Sequence, residues 1–494
     1  MIHMLQNEAG RAYTENGGAA YASTGSDCLD FFATVGALRK ATDADICTRF
    51  LRAFCENRDI AVKLLFFARD IRGGLGERRV FRVILVWLAD YAPETVKKNL
   101  CYVAEFGRYD DLLVLFDTPC EAAMLALVRK QFEADLTALA EGRAVSLLGK
   151  WLPSVNTSNP DAVKLGKRMA RAFGLKDADY RKALVKLRRA IRILENNLRE
   201  KDYTFDYEKQ PSKALYRYRK AFMRNDYERY DAYLNAVVSG EKTMRTATLA
   251  PYELVDPFLE CDWGGSLRIT SISEEEKKVL NTTWENLPKV SAEGDILAVI
   301  DTSGSMYFGG HPYPASVALS LGLYIAERNT GRFAKHFIEF SEHPQLIAIK
   351  GETFVDRLAY LASFSKIANT NLEGVFDLIL AAAVKNAVDK SELPAKLVVI
   401  SDMEFDECVE DADSTVFENA RNKFLSAGYT LPDVIFWNVA SRHRQQPVQM
   451  NENGVALVSG VTPRIFNMIA TGTMNPYTLM MEVVESERYR NITA

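Results

Sequence analysis

The six residues Asp301-Thr302-Ser303-Gly304-Ser305-Met306 constrain this chain more than any others. They follow an apolar run, residues 296–300, with the length and β-branched content of a buried strand. They precede an apolar-periodic stretch, 314–327, that reads as a helix. A carboxylate and two hydroxyls therefore sit in a loop leaving a strand and entering a helix, the crevice where open α/β sheets bind ligands. Hard cations take oxygen ligands, and Mg²⁺ keeps several of its waters. Two of the three oxygens in Asp-x-Ser-x-Ser are neutral, so a held ion stays able to accept an outside carboxylate or phosphate. A second buried-strand pattern, 396–401, ends at Asp402, and Ala368-Asn369-Thr370-Asn371 lies between the two strands, directly before a helical stretch, 372–386. The same residues also have an ordinary reading, as strand-end carboxylates and serine helix caps.

The order Asp-x-Ser-x-Ser, Thr, strand-end Asp resembles the metal-ion-dependent adhesion site of von Willebrand factor A domains, over roughly residue 294 to the C-terminus. That resemblance implies Mg²⁺ or Mn²⁺ at Asp301, Ser303, Ser305, Thr370 and Asp402. The serines would ligate directly and at least one Asp through water, and a partner's carboxylate would complete the shell. Asn371, next to Thr370, is expected to add a supporting hydrogen bond.

The chain ahead of this domain reads almost entirely as helix. Stretches 45–69, 78–91, 93–106, 109–116, 161–173, 180–198 and 211–225 carry apolar residues three and four apart. Short paired helices of this kind fit an α-solenoid of degenerate, HEAT-like repeats. Residues 1–27, rich in Gly, Ala, Ser and Thr, read as a flexible arm or an extended segment laid on the surface. The expected organisation is this arm, a helical-repeat domain over 28–254, a connection over 255–292, and a doubly wound α/β domain over 293–494.

Two phrases of the helical half, Arg69-Asp70-Ile71-Arg72-Gly73-Gly74-Leu75-Gly76-Glu77-Arg78-Arg79 and Phe106-Gly107-Arg108-Tyr109-Asp110-Asp111-Leu112-Leu113, resemble TROVE modules of the Ro (SS-A) autoantigen family. Lys150-Trp151-Leu152-Pro153-Ser154 and the run 207–214 resemble a Ro-related family of uncharacterised proteins in plants, bacteria and large viruses. In Ro proteins the repeats close into a ring that a von Willebrand A domain bridges, and the ring binds small noncoding RNA. The resemblance implies a monomeric, RNA-binding ribonucleoprotein component.

Charge is distributed accordingly. Residues 143–245 hold 24 Lys and Arg against 12 Asp and Glu, so the rest of the chain carries −16 within a total of −4. A basic segment of this kind suits a polyanion. The candidate phosphate contacts are Lys182, Lys186, Arg188, Arg189 and Arg192, then Lys213, Arg217 and Arg224, the second group interleaved with Tyr216, Tyr218 and Phe222. Cations neutralise phosphates and exposed rings stack bases. A solvated helix face over an aromatic core has the same pattern. The Gly-rich turn at 72–76 lacks the Gly-Lys-Ser/Thr of a P-loop and reads as an interhelical turn.

Seven scattered cysteines without a C-x-x-C pair argue against structural zinc or a disulfide framework and for a reducing, cytoplasmic setting. No apolar run approaches a membrane span. No Ser–His–Asp set or nucleophile elbow is visible, so the expectation is not an enzyme. The alternative to RNA binding is a protein-interaction scaffold using the solenoid and the metal site.

Overall fold

The computed structural model describes residues 10–261, 267–289, 295–307, 310–340, 343–364, 370–407 and 414–494; Ala368-Asn369 and Cys408 lie outside these. Contacts divide the chain into two units whose border ignores the linear order. Residues up to Ala68, Gly73–Glu77 and Thr246–Arg490 make the first; Arg69–Arg72, Arg78–Arg245 and Asn491–Ala494 make the second.

The first unit begins with an antiparallel hairpin, β1 (Arg11–Tyr13) and β2 (Ala19–Tyr21). Three helices follow, α1 (Asp27–Thr34), α2 (Asp43–Glu56) and α3 (Arg58–Arg69). The Ser26 and Thr42 side chains accept amide hydrogen bonds in the first turns of α1 and α2. The single helical period read over 45–69 breaks at Asn57, which is extended (φ −151°, ψ 109°). Its side chain accepts from the Ile60 amide instead. Residues read as an arm thus form a strand pair, and the first three helices fall in the same unit as the sheet described below.

The second unit is helical: α4 (Arg78–Tyr91), α5 (Pro93–Phe106), α6 (Tyr109–Leu112), α7 (Glu121–Ala140), α8 (Leu148–Trp151), α9 (Pro160–Ala172), α10 (Asp177–Ile191), α11 (Leu194–Glu200), α12 (Ser212–Arg217), α13 (Arg219–Asn225) and α14 (Tyr227–Val238). It contains no strand among the described residues. Helix α7 spreads its apolar residues around its circumference, which hides it from a search for one apolar stripe. The stretch read as one helix over 180–198 breaks at Arg192, whose backbone is left-handed (φ 52°). Rings fill the interior. Phe132 packs on Phe173, and Tyr207 contacts Phe222, Tyr230 and Tyr233 with centroids 5.0–5.5 Å away.

The chain returns to the first unit with α15 (Tyr252–Val255), the antiparallel pair β3 (Leu259–Cys261) and β4 (Leu267–Ile269), and α16 (Glu274–Glu285). The described residues of the stretch read as a connection are therefore structured. Trp284 of α16 is fully buried, stacks 4.1 Å from Phe354 and donates to Glu327. Then come β5 (Ile296–Asp301), α17 (Pro314–Arg328), β6 (His336–Phe340), β7 (Gln345–Ala348), α18 (Phe354–Ala362), α19 (Leu372–Lys385), β8 (Lys396–Ser401), α20 (Val416–Ser426), β9 (Asp433–Asn438), β10 (Val455–Ser459), α21 (Arg464–Thr471) and α22 (Pro476–Val484).

Six of these strands form one sheet in the order β10-β9-β8-β5-β6-β7, with β7 antiparallel to β6 and the other ladders parallel. The central strands are buried on both faces, which is why they read as unbroken apolar runs. Leu297, Val299, Leu397, Val399, Val434 and Phe436 join one core with Val375 of α19 and Phe417 of α20. Helix α17 lies against β5 through Gly322, where a Cβ would come within 2.2 Å of Ile300 Cδ1. Helix α1 lies against β10. Ser459 donates to the Phe32 carbonyl and accepts from the Gly36 amide, and a Cβ at Gly36 would meet the Ser459 carbonyl at 2.6 Å. No helix among the described residues is long and apolar enough to cross a membrane.

Burial also sorts the thiols. Cys28 is buried and pushed up to about 12, by desolvation first and then by Glu56, and burial raises Cys120 as well. Cys55 and Cys101 are exposed. A thiol reagent added to the native protein is expected to modify Cys55 and Cys101 promptly and Cys28 and Cys120 only after denaturation, because the thiolate is the reactive form. Peptide mapping of the labelled protein reads this out.

Candidate metal centre

The chain runs from β5 out to β6 on one side, then returns to β8 on the other, so the strand order reverses between β5 and β8. Asp301 ends β5 at this switch point, and Asp402 follows β8. The Asp301 carboxylate is completely buried; one oxygen accepts from the Ser303 amide at 2.8 Å and the other from the Ser401 hydroxyl at 2.5 Å. The Ser303 and Ser305 hydroxyls lie 3.1 Å apart. Met403 holds a left-handed backbone (φ 67°), uncommon for a residue with a Cβ. Asp402 and Glu404, on either side of it, are both buried at the sheet edge. Thr370 is buried directly before α19, and its carbonyl accepts from the Asp406 amide. Asn371 caps α19, its side chain accepting from Gly374, so at least that part of its capacity supports the helix and not the site.

Four carboxylates are buried here: Asp301, Asp402, Glu404 and Glu339, the last accepting from Thr302 at 2.6 Å. Burial, and then the charge of Asp402, hold Asp301 up at about 7. Burial raises Asp402 too, partly offset by Ser305 and Arg442. Arg442 reaches Asp402 at 2.9 Å, and His443 lies 2.9 Å from Glu404. Of the adjacent buried pair Asp301 and Asp402, Arg442 engages Asp402. A buried charge needs a partner. The donor set is oxygen only at Asp301, Ser303, Ser305, Thr370 and Asp402, the chemistry that Mg²⁺ and Mn²⁺ select. These residues fit such an ion.

Several groups at this edge were not legible in the sequence. Gln445 donates to both Glu404 oxygens at 2.9 Å. The turn after β1 contributes Glu15 and Asn16: the Glu15 amide donates to Glu404 at 2.7 Å, and Asn16 Nδ2 donates to the Thr370 hydroxyl at 3.1 Å. Ligand atoms of Glu15, Glu404 and His443 lie within 4.8 Å of one another. Each of the three is already engaged, Glu15 by Arg442 at 2.8 Å and Glu404 by Gln445 and His443, so this trio is a set of ion-pair and hydrogen-bond contacts.

The basic candidates separate. Lys182, Lys186, Arg189 and Arg192 are exposed, as are Lys213, Arg217 and Arg224. Arg188 must be removed from the set. Its guanidinium points inward, donating to the Gly149 and Leu152 carbonyls and the Ser154 hydroxyl at 2.6–2.9 Å, and burial lowers its pKa. The helix face that groups 185, 188 and 192 is a packing face at 188, where α10 meets α8. Of the interleaved rings, Phe222 is core, Tyr216 carries Arg219 at 4.1 Å, and Tyr218 donates to Glu195.

A doubly wound α/β unit with an acidic switch point, joined in one chain to a helical unit, is the class this fold and site define. Two family models match it: a domain of unknown function (DUF7788) over residues 295–490, and another (DUF2828) over 14–118 and 167–295. The uncharacterized protein L728 of Acanthamoeba polyphaga mimivirus is 28% identical over 519 residues, which span 97% of this chain and 88% of that protein. The crystal structure of the Deinococcus radiodurans RO (RSR) protein superposes over 94% of this chain and 99% of that one, at 14% identity and a TM-score of 0.49.

Proposed function

We propose that this protein binds structured RNA through its helical unit and holds Mg²⁺ or Mn²⁺ at Asp301, Ser303, Ser305, Thr370 and Asp402 as a docking point for an acidic ligand, without catalysis of its own. The observation that carries the RNA reading is the exposed row Lys182, Lys186 and Arg189 on α10, three cations with no carboxylate partner among the described residues. The resemblance of two phrases to TROVE modules supports the same reading. Two neutral hydroxyl donors leave a held ion electron-poor, which suits docking of an acidic ligand.

Charge reversal of Lys182, Lys186 and Arg189 to Glu tests it, with a fluorescent RNA hairpin as probe. Each neutralised phosphate releases condensed counterions, so the triple variant should bind about tenfold or more weakly near 0.1 M salt, with a salt slope shallower by roughly 2–3. Its thermal stability should match wild type, since exposed charges contribute little to folding. Arg188→Ala is expected to do the reverse, leaving the salt slope alone and costing about 1–3 kcal/mol through three lost charge-assisted hydrogen bonds. Absence of RNA binding by the wild-type protein at low salt would sink the reading. The scaffold alternative would then stand on Arg442, a guanidinium placed beside the metal-site carboxylate where an acidic protein segment could be received.

A further inference from the structure

The turn of the N-terminal hairpin is bound to the candidate metal centre by contacts that span some 390 residues of sequence. Thr14 donates to the Phe405 carbonyl at 2.5 Å, and Gly17 forms an antiparallel bridge with Asp406. Gly18 passes so close that a Cβ would lie 2.5 Å from the Phe405 carbonyl oxygen and 2.7 Å from that of Asp406. Strand β2 continues the docking: Tyr21 exchanges backbone hydrogen bonds with Gln446, at 2.8 and 2.9 Å, and its hydroxyl donates to Glu418. Within this frame two exposed side chains face the site. Asn16 divides its amide between the Thr370 hydroxyl and the Glu404 carbonyl, the latter at 2.6 Å. Glu15 places its carboxylate on Arg442 Nη1 at 2.8 Å, while Nη2 of the same guanidinium holds Asp402.

That last arrangement has the chemistry of a ligand. A carboxylate on a tight turn approaches the guanidinium that flanks the ion site, and a neighbouring amide engages a hydroxyl of the ion's own donor set. We infer that residues 14–17 are an internal ligand of this site: Glu15 occupies the position an external acidic peptide would take, and such a peptide reaches Arg442 and the ion only by displacing the turn. This rests on the proposed docking role of the metal centre. The occupant has a strong advantage, because a tethered group competes at an effective concentration in the millimolar range for a short connection. Docking of the turn and capture of an acidic partner are then mutually exclusive states of one surface, and displacing the hairpin would accompany partner binding.

The test uses the full chain and a fluorescein-labelled hexaglutamate peptide, with Mn²⁺ present and absent. Glu15→Gln combined with Asn16→Ala changes only exposed side chains. This variant should bind the peptide at least tenfold more tightly than wild type, and the gain should vanish when Arg442→Ala is added. Amide hydrogen exchange over residues 12–19 should accelerate at least tenfold in the variant, and in wild type on adding the peptide, with exchange in β5 and β8 unchanged. Gly18→Val, which undocks the turn sterically, should reproduce the tighter binding; unchanged far-ultraviolet circular dichroism establishes that each variant is folded. Equal peptide affinity for the wild-type and double-variant proteins would overturn the inference and leave the turn a structural clasp. Calorimetric titration with Mn²⁺ alone separates the two proposals. If no ion binds, the metal reading fails, while Arg442-dependent competition with Glu15 still decides the inference drawn from the turn.

Discussion

Replacing Asp301 by Asn will abolish the divalent-ion response of the folded protein while making the ion-free protein more stable. Asp301 and Asp402 face one crevice, both buried, and each is held above the ordinary carboxylate range, Asp301 by burial and by Asp402, and Asp402 by burial. Asparagine keeps the shape and can still accept from the Ser303 amide, but it removes one of two adjacent buried charges. At about 1.4 kcal/mol per unit of raised pKa, the relief near pH 8 is a few kcal/mol. Wild type should recover the deficit by binding the ion, gaining about 2.7 kcal/mol at one hundred times the dissociation constant. Urea denaturation of both proteins, each with and without saturating Mg²⁺ and Mn²⁺, measures the two effects together. An equal ion-dependent gain in Asp301→Asn and wild type would place the ion elsewhere. No gain in either would remove the metal centre.

Asp111→Ala is expected to be the most damaging single substitution in the helical unit, at about 3–5 kcal/mol, the usual consequence of leaving a buried charge without its partner. Asp111 is fully buried and Arg69 almost so; they pair at 2.7 Å, and the other Asp111 oxygen takes Arg82 at 2.6 Å. The Arg108 amide also donates to Asp111, and Asp110 holds the Arg82 and Arg108 guanidiniums at 2.7 Å. Arg108 in turn lies 4.0 Å over Trp151. A Cβ on Gly107 would sit 2.5 Å from Asp111, so glycine is required where the two phrases meet. The Ile71 amide donates to the Phe106 carbonyl across the same junction. The exposed pair Arg143–Glu141 supplies the contrast: its removal should cost less than about 1 kcal/mol. Chemical denaturation reads both, and a loss under 1 kcal/mol for Asp111→Ala would mean that the network relaxes freely around the missing carboxylate.

The two phrases that resemble Ro-type modules thus meet in an internal ion-pair network through Arg69, Arg108, Asp110 and Asp111, which their linear separation hid. Much of the α/β unit was open to reading because its signals are local. A strand buried on both faces is a short unbroken apolar run, a helix is a period of three and four, and the residue that ends a strand names its own place at the sheet edge. Asp301, Ser303, Ser305 and Asp402 could be found that way, since the backbone of one βαβ unit after another carries them to the same end. Exposure is not local in this sense. Arg188 stands in the same basic row as Lys186 and Arg189, and only the packing of α10 on α8 turns its guanidinium inward.

The sequence by itself determined the doubly wound sheet, the helical character of residues 78–238 and the oxygen donors at the switch point, because each follows from side-chain pattern over ten or twenty residues. Tertiary structure alone decided that Glu15 and Asn16 lie on Thr370, Glu404 and Arg442, that α1 lies against β10, and that residues 255–261 and 267–285 belong to the α/β unit. The physical reason is separation along the chain. Contacts between residues hundreds of positions apart depend on the loop-closure entropy and steric fit of a whole folded unit, and neither leaves a periodic trace in the segments that meet.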